Sequence, residues 1–594
     1  MAATRVLSLA AIRRRSFAFA GVYTAALVAA FLGSLRVRPS DVDGYGLVAA
    51  MPVMYWVGVA LAIVASIMVG VEAAKGDHVV GFHVPVLWIG ILHTAPAFAA
   101  DNARFVPVYQ NLGLVRSLSE SSGGDSLPES VQGWPGFYGS LVPVVAGLSP
   151  TMLDGLLRLW PTIVTAILAV LTGALARRAY PAKPLIAPLS ALVLVAGSWM
   201  GQDYFSPLSV ALVGPLAIIV VLESGPLRPR GSLSSVTPAL SRFASAGGDR
   251  SEANSTASYV AMLIIGFAII VSHPVAPLFV VAALVILGLH GRRVAWRLLL
   301  AITIAYLLWS FIVAEPWWSV PFDSLAVNLG GNWPEGLTLA DAGSVSASAG
   351  HQWVTRVQIW LTVAIVGSIL VLGGVMASHP LRHLRPALPL APLALAPFVM
   401  AGLVGYGRGT VISVAAFALP MASVLVARAL LAMPSSSVPV AVTVATIVMV
   451  PLFLMARFGN ESFEMVTNAD RHAVDVAYAA ATKSSLLVAD NPFLPWADRS
   501  TAVRAHTYLR AEPTTAWVDA LVDEAAGSNA EEVVVVLTPS QSAWRTNFEG
   551  LPSGSLEQIG RWASSRTGVR VLSNQDGAWV LAIKVDDVVA GGGG

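Results

Sequence analysis

Two carboxylates two residues apart follow the first apolar run of the chain. Asp41 and Asp43 flank Val42 in the stretch from Arg38 to Gly46. In an extended segment alternate side chains share a face, which would direct both carboxylates into one site. One of them could take a proton from an attacking hydroxyl, or the two could hold a divalent cation such as Mg²⁺, Mn²⁺ or Ca²⁺. A solvated acidic loop is the alternative, because Asp-X-Asp is short and common.

A second polar stretch, from Ser198 to Pro207, joins two apolar runs. Its carboxylate, Asp203, would lie near the membrane surface, where ionised groups are costly and usually functional. Trp199 and Tyr204 suit the face of a sugar. A polar turn with a belt of aromatic side chains at the membrane interface explains the same residues equally well.

Three further links carry single charged or titratable groups. His273 could bind a phosphate or carry a proton, although a hydrogen-bonded structural role is the simpler alternative. Arg408 stands among glycines at 405–409, where an anion could approach its planar, always charged guanidinium. An anchor at the membrane surface would use the same arginine. Asp101 and Arg104 end the third apolar run and either pair with each other or line the same cleft.

The composition indicates which elements must position these groups. The chain has 594 residues, of which 12% are charged and 56% hydrophobic, with no cysteine and a net charge of +2. Soluble proteins average about 25% charged residues. These values exclude an ordinary soluble enzyme, a disordered chain, a basic nucleic-acid binder, a disulfide scaffold and a cysteine nucleophile.

The charges divide the chain into two parts. They make up about 9% of residues 1–456 and about 20% of residues 457–594. The pattern predicts an α-helical polytopic membrane domain over 1–456, followed by a soluble α/β domain over 457–594. In the tail, 464–483 and 515–526 have helical patterns, and a helical stretch starts at Ser540. Val533–Leu537 is typical of a buried strand, and 569–572 with 578–583 of a closing strand pair.

The membrane domain is predicted to contain about thirteen transmembrane helices. They are placed at 17–35, 53–71, 79–100, 160–176, 185–200, 207–222, 258–272, 275–290, 298–314, 357–376, 386–403, 411–430 and 439–456. Between the third and fourth, the spacing of Phe105, Val108, Leu112 and Val115 predicts a helix in the membrane interface. Segment 315–356, rich in tryptophan, has an interfacial composition.

The distribution of lysine and arginine predicts the orientation. With a cytoplasmic N-terminus, the inner side of the body receives 18 of these residues and the outer side 7. An odd number of spans then makes the C-terminal domain extracytoplasmic. This topology assigns the candidate residues to one outer face: Asp41, Asp43, Asp101, Arg104, Asp203, His273 and Arg408.

This arrangement resembles the GT-C superfamily of integral-membrane glycosyltransferases, which use sugars linked to polyprenyl phosphate. The resemblance rests on Asp41-Val42-Asp43 after the first span, the long second outer segment and the outer C-terminal domain. Stretches 202–207, 272–274 and 457–461 are similar to ones in actinobacterial members. The resemblance covers most of the body, at the level of architecture and short motifs.

The resemblance implies roles for the candidate residues. Asp41 or Asp43 would be the general base, or a ligand of a divalent cation, and Arg408 would hold the donor phosphate. Gly409 stands where an acidic residue is expected, so the turn lacks a second carboxylate. The remaining implied contacts are Arg104 and His273 to the donor phosphate, and Asp203, Tyr204, Trp199 and Asp101 to substrate.

The sequence as a whole predicts an inverting glycosyltransferase of a bacterial plasma membrane, with a role in cell-wall biogenesis. It would move a sugar from a polyprenyl-phosphate donor to a glycan or lipid acceptor of the cell envelope, without a nucleic-acid partner. One alternative is a flippase for a lipid-linked glycan, but the sequence has no internal repeat and its polar groups cluster at span ends. The other is a non-catalytic assembly protein whose tail recognises cell-wall glycan.

Overall fold

The computed structural model of the protein describes most of the chain. The described residues are 19–74, 80–120, 133–223, 250–314, 348–378, 388–404, 410–434, 437–482, 484–491, 494–496, 505–508, 530–566 and 568–585. The turn that contains Arg408 and Gly409 lies outside them, as do the predicted helix 515–526 and most of the tryptophan-rich segment.

The body of the protein is built from apolar helices, and one forms at each of the thirteen predicted positions. In chain order, with two further helices, they are Phe19–Ser34 (α1), Val53–Ala74 (α2), His83–Phe98 (α3), Val106–Glu120 (α4), Gly136–Gly147 (α5), Pro150–Ala179 (α6), Ile186–Gly197 (α7), Pro207–Leu222 (α8), Arg250–Ser272 (α9), Ala276–Leu289 (α10), Arg293–Ile312 (α11), Ala349–Ala377 (α12), Leu390–Val404 (α13), Thr410–Leu430 (α14) and Ser437–Phe458 (α15). Among the described residues, five helices are long and apolar enough to cross a membrane. The protein is therefore a mostly helical membrane protein, and the number of crossings stays a prediction.

Helix α6 shows how local sequence sets the ends of these helices. Pro150 occupies its first position, where a missing N–H costs nothing, and the Ser149 hydroxyl accepts the Met152 N–H at 3.3 Å. Arg177 and Arg178 lie in the last turn, where cations favour the negative end of the helix dipole.

Apolar side chains lie on both the inside and the outside of the helical body. Helix α7 packs against α6 and α14, and α14 packs against α13. Large side chains on the outside remain exposed, among them Val170 (72%) and Ile312 (71%). A surface of this composition suits contact with the apolar chains of lipid.

A helix forms after the third apolar run, as predicted, and is α4; its position in the membrane interface stays a prediction. Its apolar side chains are almost wholly buried, and they pack against Phe137, Leu153 and Phe205 of neighbouring elements. The buried side chains are Val108, Leu112 and Val115. The apolar face of α4 therefore packs against protein.

The described chain after α15 contains a five-stranded sheet, a single helical turn at Glu461–Glu464 and three longer helices. The strands are Ser485–Ala489 (β1), Ala505–Tyr508 (β2), Glu532–Leu537 (β3), Val569–Gln575 (β4) and Ala578–Lys584 (β5). Their order is β2-β1-β3-β5-β4, with β1 parallel to β2 and β3, and β5 antiparallel to β3 and β4. The longer helices are Asn468–Ala480 (α16), Pro539–Glu549 (α17) and Ser555–Ala563 (α18). We call residues 468–585 the C-terminal unit.

The strongest local patterns of the C-terminal unit predict its elements correctly. Strand β3 is a run of valines buried on both faces, and α16 and α17 form where helical patterns predict them. The β4–β5 hairpin turns at Asp576 and Gly577, both with positive φ, which suits a tight hairpin turn. Strand β2 and helix α18 were not predicted.

The turn that follows α1 packs directly against the end of α15. Gly46 has φ +68° and ψ −147°, a region that only glycine adopts readily. A Cβ atom there would collide with the Phe458 carbonyl oxygen and with Gly459. On the other side of the turn, Gly44 and Gly350 bring two backbones into contact. The carboxylate-bearing turn is thus held between α12 and α15.

We expect Gly46→Ala to destabilise the protein and to displace this turn. The backbone conformation alone costs a non-glycine residue about 1–3 kcal/mol, and the collision with Phe458 adds to it. Gly291→Ala is the matched control, because Gly291 also has positive φ (+91°) but an added Cβ meets nothing within 4 Å. Thermal unfolding of the purified protein in detergent should show a clearly larger decrease in melting temperature for Gly46→Ala than for Gly291→Ala. Equal decreases would contradict the close approach of Gly46 to the Phe458 carbonyl.

Candidate functional site

A cavity of about 520 Å³ lies between the turn after α1, the start of α12 and the C-terminal unit. Its volume is within the range of small-molecule sites, about 300–1,000 Å³. Hydroxyl, amide and carboxylate groups line it. They belong to Asp43, Tyr45, Ser348, Ser462, Thr538, Ser542, Thr546, Asn547, Ser553 and Glu557.

Asp43 is the predicted catalytic residue that the structure brings to this cavity. Its Oδ1 accepts the Tyr45 N–H at 2.8 Å, and its carbonyl oxygen accepts the Gly46 N–H at 2.9 Å. These bonds fix the side chain relative to the turn. Its Oδ2 makes no hydrogen bond with the described residues, so this oxygen can accept a proton or a hydrogen bond from a ligand.

Asp41 does not line the cavity. Pro39–Asp41 form a 3₁₀ turn, so the alternation expected of an extended segment does not hold between Asp41 and Asp43. Asp41 is exposed and accepts a hydrogen bond from Ser40 Oγ at 3.3 Å. Over the described part of the chain, no group of three or more His, Asp or Glu side chains could hold a metal ion. Asp43 alone does not make a cation site, and the cation stays a prediction.

Asp203 lies in a buried ion pair with Arg457, the penultimate residue of α15. Arg457 Nη2 donates to Asp203 Oδ1 at 2.8 Å and to Oδ2 at 3.0 Å, and Arg457 Nη1 donates to the Ser198 carbonyl at 2.9 Å. Thr165 Oγ1 donates to Asp203 Oδ2 at 3.0 Å. Both charged residues are only 5% exposed. Because both Asp203 oxygens are engaged, contact with a substrate would require this pair to open.

Arg104 completes the same network from the other side of α15. Its Nη2 pairs with Glu461 and donates to the Arg457 carbonyl at 2.8 Å. Its guanidinium lies between the rings of Phe105 and Phe458, 4.1 and 4.5 Å from their centroids. Its buried Nε and Nη1 have no hydrogen-bond partner among the described residues. Arg104 is thus a link between the body and the start of the tail.

Asp101 and Arg104 do not pair with each other, which was one of the two possibilities that the sequence left open. Asp101 Oδ2 instead accepts a hydrogen bond from Asn468 Nδ2 at 2.9 Å, at the start of α16. Asn102 Nδ2 donates to the side chain of Asn468 at 2.9 Å and to the Val466 carbonyl at 3.2 Å. The segment after α3 therefore binds the entrance to the C-terminal unit.

His273 stabilises the start of α10. Its Nδ1 accepts the backbone N–H groups of Val275 and Ala276 at 3.1 and 3.2 Å. Helix starts leave such N–H groups without partners, and the imidazole supplies one. Only Nε2 remains for a ligand.

The aromatic residues near Asp203 are packed inside the protein. Trp199 is 2% exposed and lies in the main hydrophobic core, and Phe205 is fully buried. The Tyr204 ring contacts the Phe105 ring, with 5.6 Å between centroids. The structure therefore offers no open Trp199 face to a sugar.

A second buried ion pair fixes the cavity wall contributed by α17. Arg545 donates to both oxygens of Asp490, at 2.8 and 2.7 Å, and pairs with Glu549. Burial alone would lower the pKa of Arg545, but its two carboxylate partners raise this pKa above the ordinary value. At the cavity end, Ser348 Oγ donates to Asn547 Oδ1 at 2.6 Å. These contacts hold α17 against the start of α12.

Arg457, the central residue of this network, was not among the residues predicted from the sequence. Segment 457–461 was recognised only as a motif similar to other proteins. The available signal was an arginine inside the last turn of an apolar helix, followed four positions later by Glu461. A charge at that depth requires a partner, but the sequence does not show which of the carboxylates in the links between helices supplies it.

We expect Arg457→Met to destabilise the protein by about 3–5 kcal/mol, because it leaves Asp203 charged, buried and unpaired. Arg457→Met combined with Asp203→Asn should recover part of this loss. Arg570→Met is the control, since Arg570 is 67% exposed and its pair with Glu532 spans 3.5 Å. Thermal unfolding in detergent would show the differences. An Arg457→Met protein as stable as the control would refute the role given to the pair.

Comparison with known proteins gives structural similarities only. No family model matches the chain, and no curated protein matches it significantly. The structure of ArnT from Cupriavidus metallidurans in the apo state is similar, with 13% identity and a TM-score of 0.47 over 86% of this chain and 98% of ArnT. The structure of ArnT bound to undecaprenyl phosphate is similar as well, with 14% identity and a TM-score of 0.45 over 85% of this chain and 97% of ArnT. An Archaeoglobus fulgidus oligosaccharyltransferase, solved with Zn and sulfate, is also similar, with 12% identity and a TM-score of 0.42 over 80% of this chain and 70% of that protein.

Proposed function

We propose that the protein is a GT-C glycosyltransferase that transfers a sugar from a polyprenyl-phosphate donor to a cell-envelope glycan or lipid acceptor. The observation that carries the proposal is the position of Asp43. This carboxylate, one of the two that the sequence offers as a general base or cation ligand, lines a polar cavity of about 520 Å³ and keeps one oxygen free of the described residues.

We place this reaction on the outer face of a bacterial plasma membrane, with the membrane domain over 1–456 and the outer domain over 457–594. The excess of lysine and arginine in the inner loops supports a cytoplasmic N-terminus. The contact between Gly46 and the Phe458–Gly459 backbone supports an outer C-terminal domain. Since the two segments touch, they lie on the same side of the membrane, and the chain must cross it an even number of times between them. Thirteen spans meet this condition, because twelve of them lie between Gly46 and Phe458.

In the proposed mechanism an acceptor hydroxyl attacks the anomeric carbon of the donor sugar. The Asp43 carboxylate takes the hydroxyl proton while the bond to the lipid phosphate breaks, and the phosphate leaves with the electron pair. A single displacement of this kind inverts the anomeric centre. Arg408 is the residue we assign to the departing phosphate, because a guanidinium stabilises the charge that develops there.

The other sequence candidates take supporting roles in this proposal. Arg104 and His273 already have protein partners. His273 keeps Nε2 for a phosphate oxygen, whereas Arg104 Nε and Nη1 are buried, so contact with the phosphate would require the Arg104 side chain to move. We assign Asp203 to the positioning of Arg457 rather than to the substrate, because both of its oxygens are engaged. The burial of Trp199 supports a packing role for its ring.

We expect Asp43→Asn to reduce sugar transfer by about 100-fold or more, the usual range for loss of a general base. The amide keeps the hydrogen bond from the Tyr45 N–H, so folding should be unaffected. Asp41→Asn is the matched control and should keep activity within a few fold, because Asp41 lies outside the cavity lining. Transfer is measured in proteoliposomes with a panel of polyprenyl-phosphate sugars.

Three results would separate the alternatives. Full activity of the Asp43→Asn protein would exclude Asp43 as the base. Movement of a lipid-linked glycan across the bilayer without transfer would favour a flippase. Binding of cell-wall glycan without turnover of any donor would favour an assembly protein.

A further inference from the structure

The cavity beside Asp43 carries a charge pattern that the transfer reaction itself does not require. Its charged side chains, Asp43 and Glu557, are both acidic, and no Lys, Arg or His is among its described lining residues. The rest of its polar lining consists of hydroxyl and amide groups. An anion would meet two carboxylates here and no cationic side chain among the described lining residues.

The start of α17 also lacks the features of a phosphate site. Helix starts attract anions through free N–H groups. Here the first helical residue is Pro539, which has no N–H, and the Gln541 N–H is directed to Thr538 Oγ1. Gln541 Oε1 in turn accepts the Thr538 N–H at 3.0 Å. This capping box occupies the Thr538 and Gln541 N–H groups, and Pro539 between them has none to offer.

From these observations we propose that the wall formed by α17 and α18 is the acceptor subsite, and that it selects an uncharged saccharide. The proposal rests on the proposed glycosyl transfer. In this proposal the two substrates are separated by charge. The hydroxyl-rich acceptor binds against the wall, and the anionic donor phosphate binds away from it.

The shape of α17 supports a saccharide as occupant. Pro539, Ser542, Ala543 and Thr546 follow each other at helical spacing and present one face of α17 to the cavity. These are small side chains, so a ligand can approach the helix closely, and two of them carry hydroxyls. Because Arg545 anchors α17 from its buried side, the wall is organised before a ligand binds.

Glu557 is the residue that we expect to discriminate between acceptors. Its carboxylate can accept hydrogen bonds from sugar hydroxyls, and hydrogen bonds to charged groups are strong. Its own partner, Arg561, is 3.8 Å away, and the two side chains are 49% and 61% exposed. Such a surface pair is weak, so it leaves Glu557 able to bind a ligand.

The test uses the full-length protein in nanodiscs with two variants, Glu557→Gln and Thr546→Val. Each should raise the acceptor KM about tenfold, as expected for the loss of one hydrogen bond to a charged or polar group, with the donor KM and the turnover at saturating acceptor unchanged. Glu531→Gln is the control. Glu531 is exposed, precedes β3 and binds Ser484 Oγ at 3.1 Å, at the strand end opposite Thr538.

A binding measurement tests the same wall independently of turnover. Saturation-transfer NMR with mannotriose and galactotriose should show contact of at least one trisaccharide with the wild type and the Glu531→Gln control. The contact should weaken in both wall variants, and added inorganic pyrophosphate should not displace the bound trisaccharide. Absence of both trisaccharide signals, equal signals in all proteins, or a rise in the donor KM alone would overturn the acceptor subsite.

The outcomes also separate this inference from the proposed function. If the wild type transfers sugar and Asp43→Asn does not, but the wall variants behave like the control, the function stands and the acceptor subsite fails. If no donor is turned over while the trisaccharide contact depends on Glu557, the wall binds saccharide and the transferase assignment fails.

Discussion

The buried ion pair between Arg457 and Asp203 is the constraint on which the rest of the structure depends. A buried guanidinium at the end of an apolar helix needs polar partners, and Asp203 supplies both of its carboxylate oxygens from the link between α7 and α8. The carbonyl oxygen of the same arginine accepts from Arg104, whose charge then holds Glu461. The end of α15, the turn that rests on it and the entrance to the C-terminal unit are therefore positioned together.

Much of the fold follows from local patterns, whereas the site depends on distant pairs. Apolar runs predicted thirteen of the helix positions of the body but not that of α5, and the valine run predicted β3, because burial acts on each segment separately. The partnership of Arg457 with Asp203 joins residues 254 positions apart, which no local pattern reveals. The shared face expected for Asp41 and Asp43 was wrong because Pro39 starts a 3₁₀ turn rather than an extended strand.

The candidate site is divided between elements from both ends of the chain. The turn after α1 supplies Asp43, and helices α17 and α18 supply the hydroxyl-rich wall opposite it. The carboxylate could be predicted, since Asp-X-Asp after an apolar run is visible along the chain. The wall could not, because Thr546, Asn547 and Glu557 have no distinctive spacing and become a surface only when the C-terminal unit docks on α12.

Because of the glycine contact between the turn after α1 and the end of α15, the C-terminal unit is packed against the membrane domain rather than attached to it by a flexible linker. Gly46 lies against the backbone of Phe458 and Gly459 with no room for one additional carbon atom. Between Phe458 and α16 the chain has only nine residues, several of them bonded to the body. A linker inserted between α15 and α16 would move the wall away from Asp43. The membrane domain and the C-terminal unit are therefore expected to change together in evolution. A C-terminal unit exchanged between relatives would function only together with its own turn after α1.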